Sequence, residues 1–222
     1  MPRVVVIGAS RGIGRELVAQ YAADGWEVLA TVRSDAAASE LSAISGVTAR
    51  VADITDEASL AALAASETAP IDLLVINAGM NIVDTDLASL DAQNWTRTMT
   101  TNALGPLLVA RTLGKSVREG GSIVALSSVM GSIGANSGGG YYAYRMSKAA
   151  LNMGLMNLSH ELKARRIAIA ALHPGWVKTD MGGSGATVEI PDSVKGLRKV
   201  IAKLEPGKTA RYLNYLDTPL GW

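Results

Sequence analysis

The sequence predicts one doubly wound α/β domain, on three observations. Short β-branched runs alternate with longer Ala/Leu-rich stretches that carry polar faces. The runs are almost continuously apolar, as parallel strands buried on both faces must be. Parallel neighbours require crossover connections, these are right-handed, and helices therefore cover both sides of the sheet. The 222 residues suit one large domain better than two at roughly 150 residues each.

The strand candidates in chain order are Val4–Ile7, Trp26–Val32, Val47–Val51, Ile71–Ile76, Ser122–Leu126 and Ile167–Leu172. Val4-Val5-Val6-Ile7 leads directly into Gly8-Ala9-Ser10-Arg11-Gly12-Ile13-Gly14, and Arg15–Ala23 reads as helix. Strand, glycine turn and helix together make a phosphate site. Glycines let the backbone approach a pyrophosphate, and the helix N-terminus offers free N–H groups and a positive dipole end. The spacing is Gly-x-x-x-Gly-x-Gly, unlike the Gly-x-Gly-x-x-Gly of the dinucleotide fingerprint. A tight turn with close helix packing would use the same glycines.

An acid about 20 residues on, at the tip of the second strand, would hold a ribose 2′-hydroxyl. That tip reads Ala30-Thr31-Val32-Arg33-Ser34, with Asp35 only after it. Arg33 at the tip and Arg11 in the glycine turn suit a 2′-phosphate, which guanidinium groups grip bidentately. NADP is therefore expected over NAD, unless both arginines are plain surface residues.

Farther on, Asn102-Ala103-Leu104-Gly105-Pro106 lies inside a helical stretch that begins near Asn94. Pro106 has no N–H, so the Asn102 carbonyl loses its i+4 donor and is free to hold a water; a simple kink is the alternative. Ser127-Ser128 ends the Ser122–Leu126 run, at the carboxyl rim where open α/β sheets bind ligands. A Ser128 hydroxyl there can hydrogen-bond a carbonyl oxygen. Tyr144 and Lys148 stand at i and i+4 of a helix whose core face is Leu151, Leu155, Leu158 and Leu162. A neighbouring ammonium favours phenolate, so the pair is expected to lower the Tyr144 pKa for acid–base work.

Glycine turn, Ile76-Asn77-Ala78-Gly79, Asn102, Ser128, Tyr144-x-x-x-Lys148 and Pro174-Gly175-Trp176-Val177-x-Thr179 stand in the order seen in short-chain dehydrogenase/reductases, which the chain resembles over nearly its whole length. Gly139–Lys148, and the ending with Tyr212–Tyr215, Pro219 and Trp222, look most like the C-factor-like subgroup of NADP-type carbonyl reductases. The resemblance implies a Rossmann domain over residues 1–222, with a parallel sheet of about seven strands flanked by helices on both faces. It implies Tyr144 as proton donor, Lys148 on the nicotinamide ribose, Ser128 orienting the carbonyl, and Asn102 anchoring a relay water through its main chain. Gly8, Ser10, Arg11, Gly12, Ile13, Gly14 and Arg33 would take the phosphates. Asp53 and Ile54 would frame the adenine, with Asn77, Ala78 and Gly79 along its ribose. Val177 and Thr179 would hold the carboxamide, with Pro174 and Gly175 also binding the cofactor.

Three departures stand out. Ile7 replaces the usual Thr before the first glycine, which takes away a hydrogen bond that steadies a neighbouring turn. Asn136–Gly140 looks inserted between Ser128 and Tyr144. The segment after Thr179 is short, and residues 180–200, irregular over Gly182–Val194, are read as a substrate lid or a surface loop. The expected activity is NADP(H)-dependent reduction of an aldehyde or ketone, or the reverse. The alternatives are an NADP-binding sensor or signalling protein with incidental turnover, and an extended sugar-nucleotide epimerase.

Composition narrows the other classes. Lys+Arg is 21 against 20 Asp+Glu, a net charge of +1 that argues against nucleic-acid and acidic-membrane partners. No cysteine and only two histidines leave no Cys-ligated zinc, disulfide or His-rich metal site. No apolar run reaches the ~18 residues of a membrane span, and the first run is too short for a signal peptide, so a cytoplasmic protein is expected. The family resemblance implies a homodimer or homotetramer, paired through the helices that contain Asn102 and Tyr144. His173 reads as a structural strand end, and Met146, Met153 and Met156 as core or subunit interface. Asp84, Asp86 and Asp91 read as a solvated helix start.

Overall fold

The computed structural model describes all 222 residues, Met1–Trp222. One sheet holds seven strands in the order β3-β2-β1-β4-β5-β6-β7. These are β1 (Arg3–Ile7), β2 (Glu27–Val32), β3 (Val47–Val51), β4 (Ile71–Ile76), β5 (Val117–Leu126), β6 (Ala168–His173) and β7 (Arg211–Asn214). Every neighbouring pair is parallel. The order reverses between β1 and β4, the place where a doubly wound sheet opens a crevice.

Strand alternation divides the core between the two faces. On β1, Val4 and Val6 join one cluster, with Leu17 and Val18 of α1 (Gly12–Ala23), Leu41 of α2 (Asp35–Ser42) and Leu197 of α7 (Ile190–Ile201). Val5 and Ile7 join the other. There they meet Leu60 of α3 (Glu57–Ser66), Val109 of α5 (Gly105–Leu113), and Leu151 and Leu155 of α6 (Tyr142–Glu161). Each such Leu, taken fully out of water, contributes about 1.5–3 kcal/mol. No helix is long and apolar enough to cross a membrane.

Three differences from the sequence reading have physical causes. β5 starts at Val117, five residues before the expected Ser122. Its first half is hidden in Arg118-Glu119-Gly120-Gly121, where Gly120 takes φ +74° and the pairing register with β4 shifts. β7 escaped the list of runs because only Tyr212 and Leu213 of its four residues are buried. Residues 190–201 are not irregular: they form α7, which buries Val194, Leu197, Val200 and Ile201, and its tail-side Arg198 stacks on Tyr21 of α1. The irregular stretch is confined to the turn between Val177 and Glu189, tied down by a parallel bridge from Val177 to Val188.

The acidic trio also divides. Asp91 caps α4 (Ala92–Met99) by accepting from Asn94 N–H, and Asp86 closes a surface turn with Ser89. Asp84 is not solvated. It is buried, and its Oδ2 accepts the Ala143 N–H at 2.9 Å while its carbonyl accepts the Tyr141 N–H at 2.6 Å. Residues 139, 140 and 141 all have positive φ, so no neighbour in sequence is placed to cap α6. A carboxylate from the distant 79–91 loop supplies that acceptor and complements the helix dipole. Arg145 Nε donates to the carbonyls of Gly139 and Gly140, both at 3.1 Å, and holds the left-handed turn. Asp84→Ala is therefore expected to cost about 0.5–2 kcal/mol in urea unfolding. Asp84→Asn, which keeps an acceptor, should recover most of it, and equal losses in both variants would refute the cap.

Candidate functional site

The carboxyl ends of β1, β2, β4, β5 and β6 open onto one cleft of about 1100 Å³. Gly8, Ser10, Arg11, Gly12, Ile13, Arg33, Asp53, Ile54, Asn77, Ala78, Gly79, Tyr144, Lys148, Pro174 and Thr179 all stand on its wall. Gly14, Asn102, Ser128, Gly175 and Val177 are not among the residues of this wall.

The glycine turn is built by close approach. Gly8 sits at φ +85°, and a Cβ there would lie 2.8 Å from Ala78. A Cβ on Gly14 would lie 2.2 Å from the Gly8 carbonyl. The Asn77 side chain donates to that carbonyl at 2.5 Å. The turn is not left loose by Ile7: Thr31 of β2, one of the few hydroxyls in the sheet, accepts the Gly8 N–H at 3.0 Å through its side chain. The hydroxyl that steadies this turn comes from the neighbouring strand. A lone Thr in an apolar strand was the available signal, and the sequence reading passed over it. α1 then begins with no side-chain cap and no acid in its first turn, so its free N–H groups face the cleft. This cradle fits a dinucleotide pyrophosphate.

At the end of β2, Arg33 is exposed and forms no ion pair. Arg11 pairs with Asp180 across the cleft mouth at 2.5 Å, with both side chains mostly in water. Asp53 turns its carboxylate inward to Thr55, whose N–H and hydroxyl it accepts, and these bonds hold its pKa below the usual range. Thr31, Arg97, Thr100, Thr101 and Lys178 also reach the cleft and were not picked out from sequence, since single polar residues without a motif carry no spacing signal; Ser127, and Asp180, Met181, Gly183 and Ser184 of the 180–200 segment, reach it as well.

Asn102 lies in a π turn, Thr100–Leu104, joining α4 to α5, where the Gly105 N–H reaches back to Thr100. The wide turn fits the missing N–H of Pro106. The buried Asn102 side chain grips Met80: it accepts the Met80 N–H at 2.8 Å and donates to its carbonyl at 2.7 Å. It also donates to Ser147 of α6 at 3.0 Å. Asn102 thus ties the β4 rim to the helix that carries Tyr144.

Lys148 is buried and Tyr144 partly so, and the Lys148 Nζ stands 5.7 Å from the Tyr144 ring centre. The expected lowering of the Tyr144 pKa is not found. Burial raises it above the usual phenol range, although the neighbouring Ser128 side chain pulls the other way. Burial also brings Lys148 down to about 8, and its Nζ donates to the Leu126 carbonyl at 2.8 Å. A lysine that is itself desolvated carries its charge less readily. Ser128 is buried and caps the short 3₁₀ turn Val129–Gly131.

A protein-family model described as short chain dehydrogenase matches residues 2–188. The chain belongs to the short-chain dehydrogenase family. It is an oxidoreductase of that family, and its sheet order and helices are shared with solved relatives. C-signal of Myxococcus xanthus is 44% identical over 157 residues, which is 70% of this chain and 95% of that protein. A short-chain dehydrogenase/reductase from Burkholderia multivorans, solved with bound NADP, has a TM-score of 0.93 at 32% identity, covering 100% of this chain and 99% of that one. The NADPH-bound carbonyl reductase from chicken fatty liver has a TM-score of 0.90 at 32% identity, with the same coverage of each chain.

The remaining candidates fall outside the cleft chemistry. Met156 packs on the core, while Met146 and Met153 stay exposed on α6. His173 ends β6, and burial lowers its pKa to about 4. Two predictions come from these contacts. Thr31→Val leaves the Gly8 N–H without its partner and should cost about 1–3 kcal/mol in chemical unfolding; an unchanged midpoint would show that the turn needs no such bond. His173 is held neutral when folded and gains a proton on unfolding, so it withdraws stability as pH falls from about 6.5 towards 4. His173→Gln should flatten this acid limb of the melting-temperature profile, and an unaltered limb would place the cause elsewhere.

Proposed function

We propose that this chain is an NADPH-dependent carbonyl reductase acting on an aldehyde or ketone. One observation carries the reading: the uncapped glycine cradle and the Tyr144–Lys148 pair share a single cleft whose β2 end shows Arg33 exposed and without an ion pair. Gly8–Ile13 would hold the pyrophosphate, Arg33 and Arg11 the 2′-phosphate, and Lys148 the ribose next to the reacting centre. NADPH, when bound, supplies the hydride for the carbonyl carbon. The chain supplies the rest. Tyr144, kept as a phenol by burial, has a proton to donate to the carbonyl oxygen, which suits the direction of reduction. The Ser128 hydroxyl beside it orients that oxygen and stabilises developing alkoxide charge. Asn102 keeps the Met80 backbone and α6 in register, so the distances hold during turnover.

Tyr144→Phe should bind NADPH as the wild type does, followed by cofactor fluorescence, and lose at least about 10²-fold in kcat on an aryl aldehyde such as 4-nitrobenzaldehyde. Retained turnover would remove Tyr144 from the chemistry. Side-by-side titrations should show NADPH bound more tightly than NADH, and Arg33→Ala should erase most of the difference. Equal affinities in the wild type would keep the reductase and discard the arginine assignment.

The similarity to C-signal favours one second reading, a nucleotide-binding signalling protein with incidental turnover. The complete set of Ser128, Tyr144 and Lys148 weighs against it.

A further inference from the structure

The family model ends at residue 188, yet the chain's last strand reaches the proposed catalytic serine. Tyr212 is buried at 3% exposure in the middle of β7, and its hydroxyl donates to the main-chain carbonyl of Ser128. The same carbonyl accepts the Gly131 N–H at 2.8 Å, while the Ser128 side-chain oxygen accepts the Met130 N–H at 3.2 Å. The Ser128 turn is therefore closed by its own backbone on one side and by Tyr212 on the other.

Packing leaves this turn nowhere else to go. A Cβ on Gly131 would lie 2.8 Å from the Lys148 Cβ, so the turn presses directly on α6 beside the catalytic lysine. From behind, β7 pairs with β6 in parallel, with Tyr212 opposite Ala171. Ser127, next in the chain, donates its N–H to Leu172 at 2.8 Å and its hydroxyl to Asn152, one helical turn beyond Lys148, at 2.7 Å. Tyr212 is itself clamped. Leu220 N–H donates to its carbonyl at 2.9 Å, Leu213 bridges to Pro219, and the Trp222 ring lies 5.3 Å from the Tyr212 ring at a 30° tilt.

We propose that Tyr212 is a positioning residue for Ser128: it fixes the plane of the Ser128 peptide, and hence the aim of the serine hydroxyl, and the carboxyl-terminal Pro219–Trp222 segment holds Tyr212 in place. The proposal rests on the reductase reading for its catalytic consequence but not for its structural one. A phenol is suited to this task. Its rigid ring sets the hydroxyl at a fixed distance from the strand, and a buried carbonyl that has two lone pairs gains a second donor. Tyr212 touches the Ser128 carbonyl and not the reacting atoms, and its phenol also stands beside the Ser127 and Asn152 side chains, so the Ser128→Ala background is what isolates the route through Ser128.

Tyr212→Phe keeps the ring, its packing on Trp222 and the strand, and removes only the hydroxyl. The expected result is a fall in kcat of about tenfold on 4-nitrobenzaldehyde, with NADPH affinity within about twofold of wild type. In a Ser128→Ala background the same change should add no further loss, because the hydroxyl it aims is gone. Hydrogen exchange gives a readout that needs no turnover: the Met130 and Gly131 amides should exchange faster in Tyr212→Phe, with the rest of β5 and β6 unchanged. Trp222→Ala, which loosens the clamp without touching Ser128, should show the same pattern more weakly. Wild-type exchange at Met130 and Gly131 in Tyr212→Phe would overturn the proposal, as would a full tenfold loss persisting in the Ser128→Ala background. If the wild type itself reduces no carbonyl, the reductase reading fails, and the exchange result alone then supports or overturns the positioning of the turn.

Discussion

Seven parallel strands impose one constraint on everything else in this protein: all strands end at the same edge. Parallel pairing forces each return to run through a helix, and the two apolar faces of the sheet must both be covered. The connections at the carboxyl edge are then the only stretches free to carry polar groups into a shared space. The glycine turn after β1, Arg33 after β2, Asp53 after β3, Asn77 after β4, Ser128 after β5 and Pro174 after β6 meet for that reason. They are far apart in sequence, and the sheet brings them to one rim.

Within the rim, the glycine turn depends on contacts closer than any side chain would permit. Gly8 lies against Ala78, and Gly14 against the Gly8 carbonyl, so α1 can start at the mouth of β1 with its N–H groups unspent. Such an approach buries polar backbone, and each group needs a partner. Thr31 and Asn77 supply them from the two flanking strands. With Ile at position 7, the hydroxyl that accepts the Gly8 N–H comes from β2.

The reacting end shows a different balance. Tyr144 and Lys148 are placed on α6 by three distant anchors: Asp84 at its N-terminus, Asn102 through Ser147, and the Ser128 turn pressed on Lys148. Burial is what gives the pair its ionisation. It raises the pKa of the phenol and weakens the hold of the lysine on its own proton, shifting both groups towards their neutral forms. An acid held in its protonated form is what delivery of a proton to a carbonyl oxygen requires.

Much of this was legible in the sequence. Apolar runs located six strands because a strand buried on both faces must be apolar throughout, and the β1 glycines and the Tyr144–Lys148 spacing are local patterns set by a turn and by one helical repeat. What the chain alone did not reveal is of another kind. β7 is short and half polar; the start of β5 is disguised by a glycine bulge; Asp84, Thr31 and Tyr212 are single polar residues with no periodicity. Their partners lie 59, 23 and 84 positions away. The sequence by itself determined the doubly wound sheet, the nucleotide cradle and the residues that meet at the rim, because each follows from local pattern and strand polarity. Only the tertiary structure decided which polar groups are buried and what they bond, and with that the ionisation of Tyr144 and the support of Ser128, because desolvation and hydrogen bonding depend on neighbours that sequence distance does not reveal.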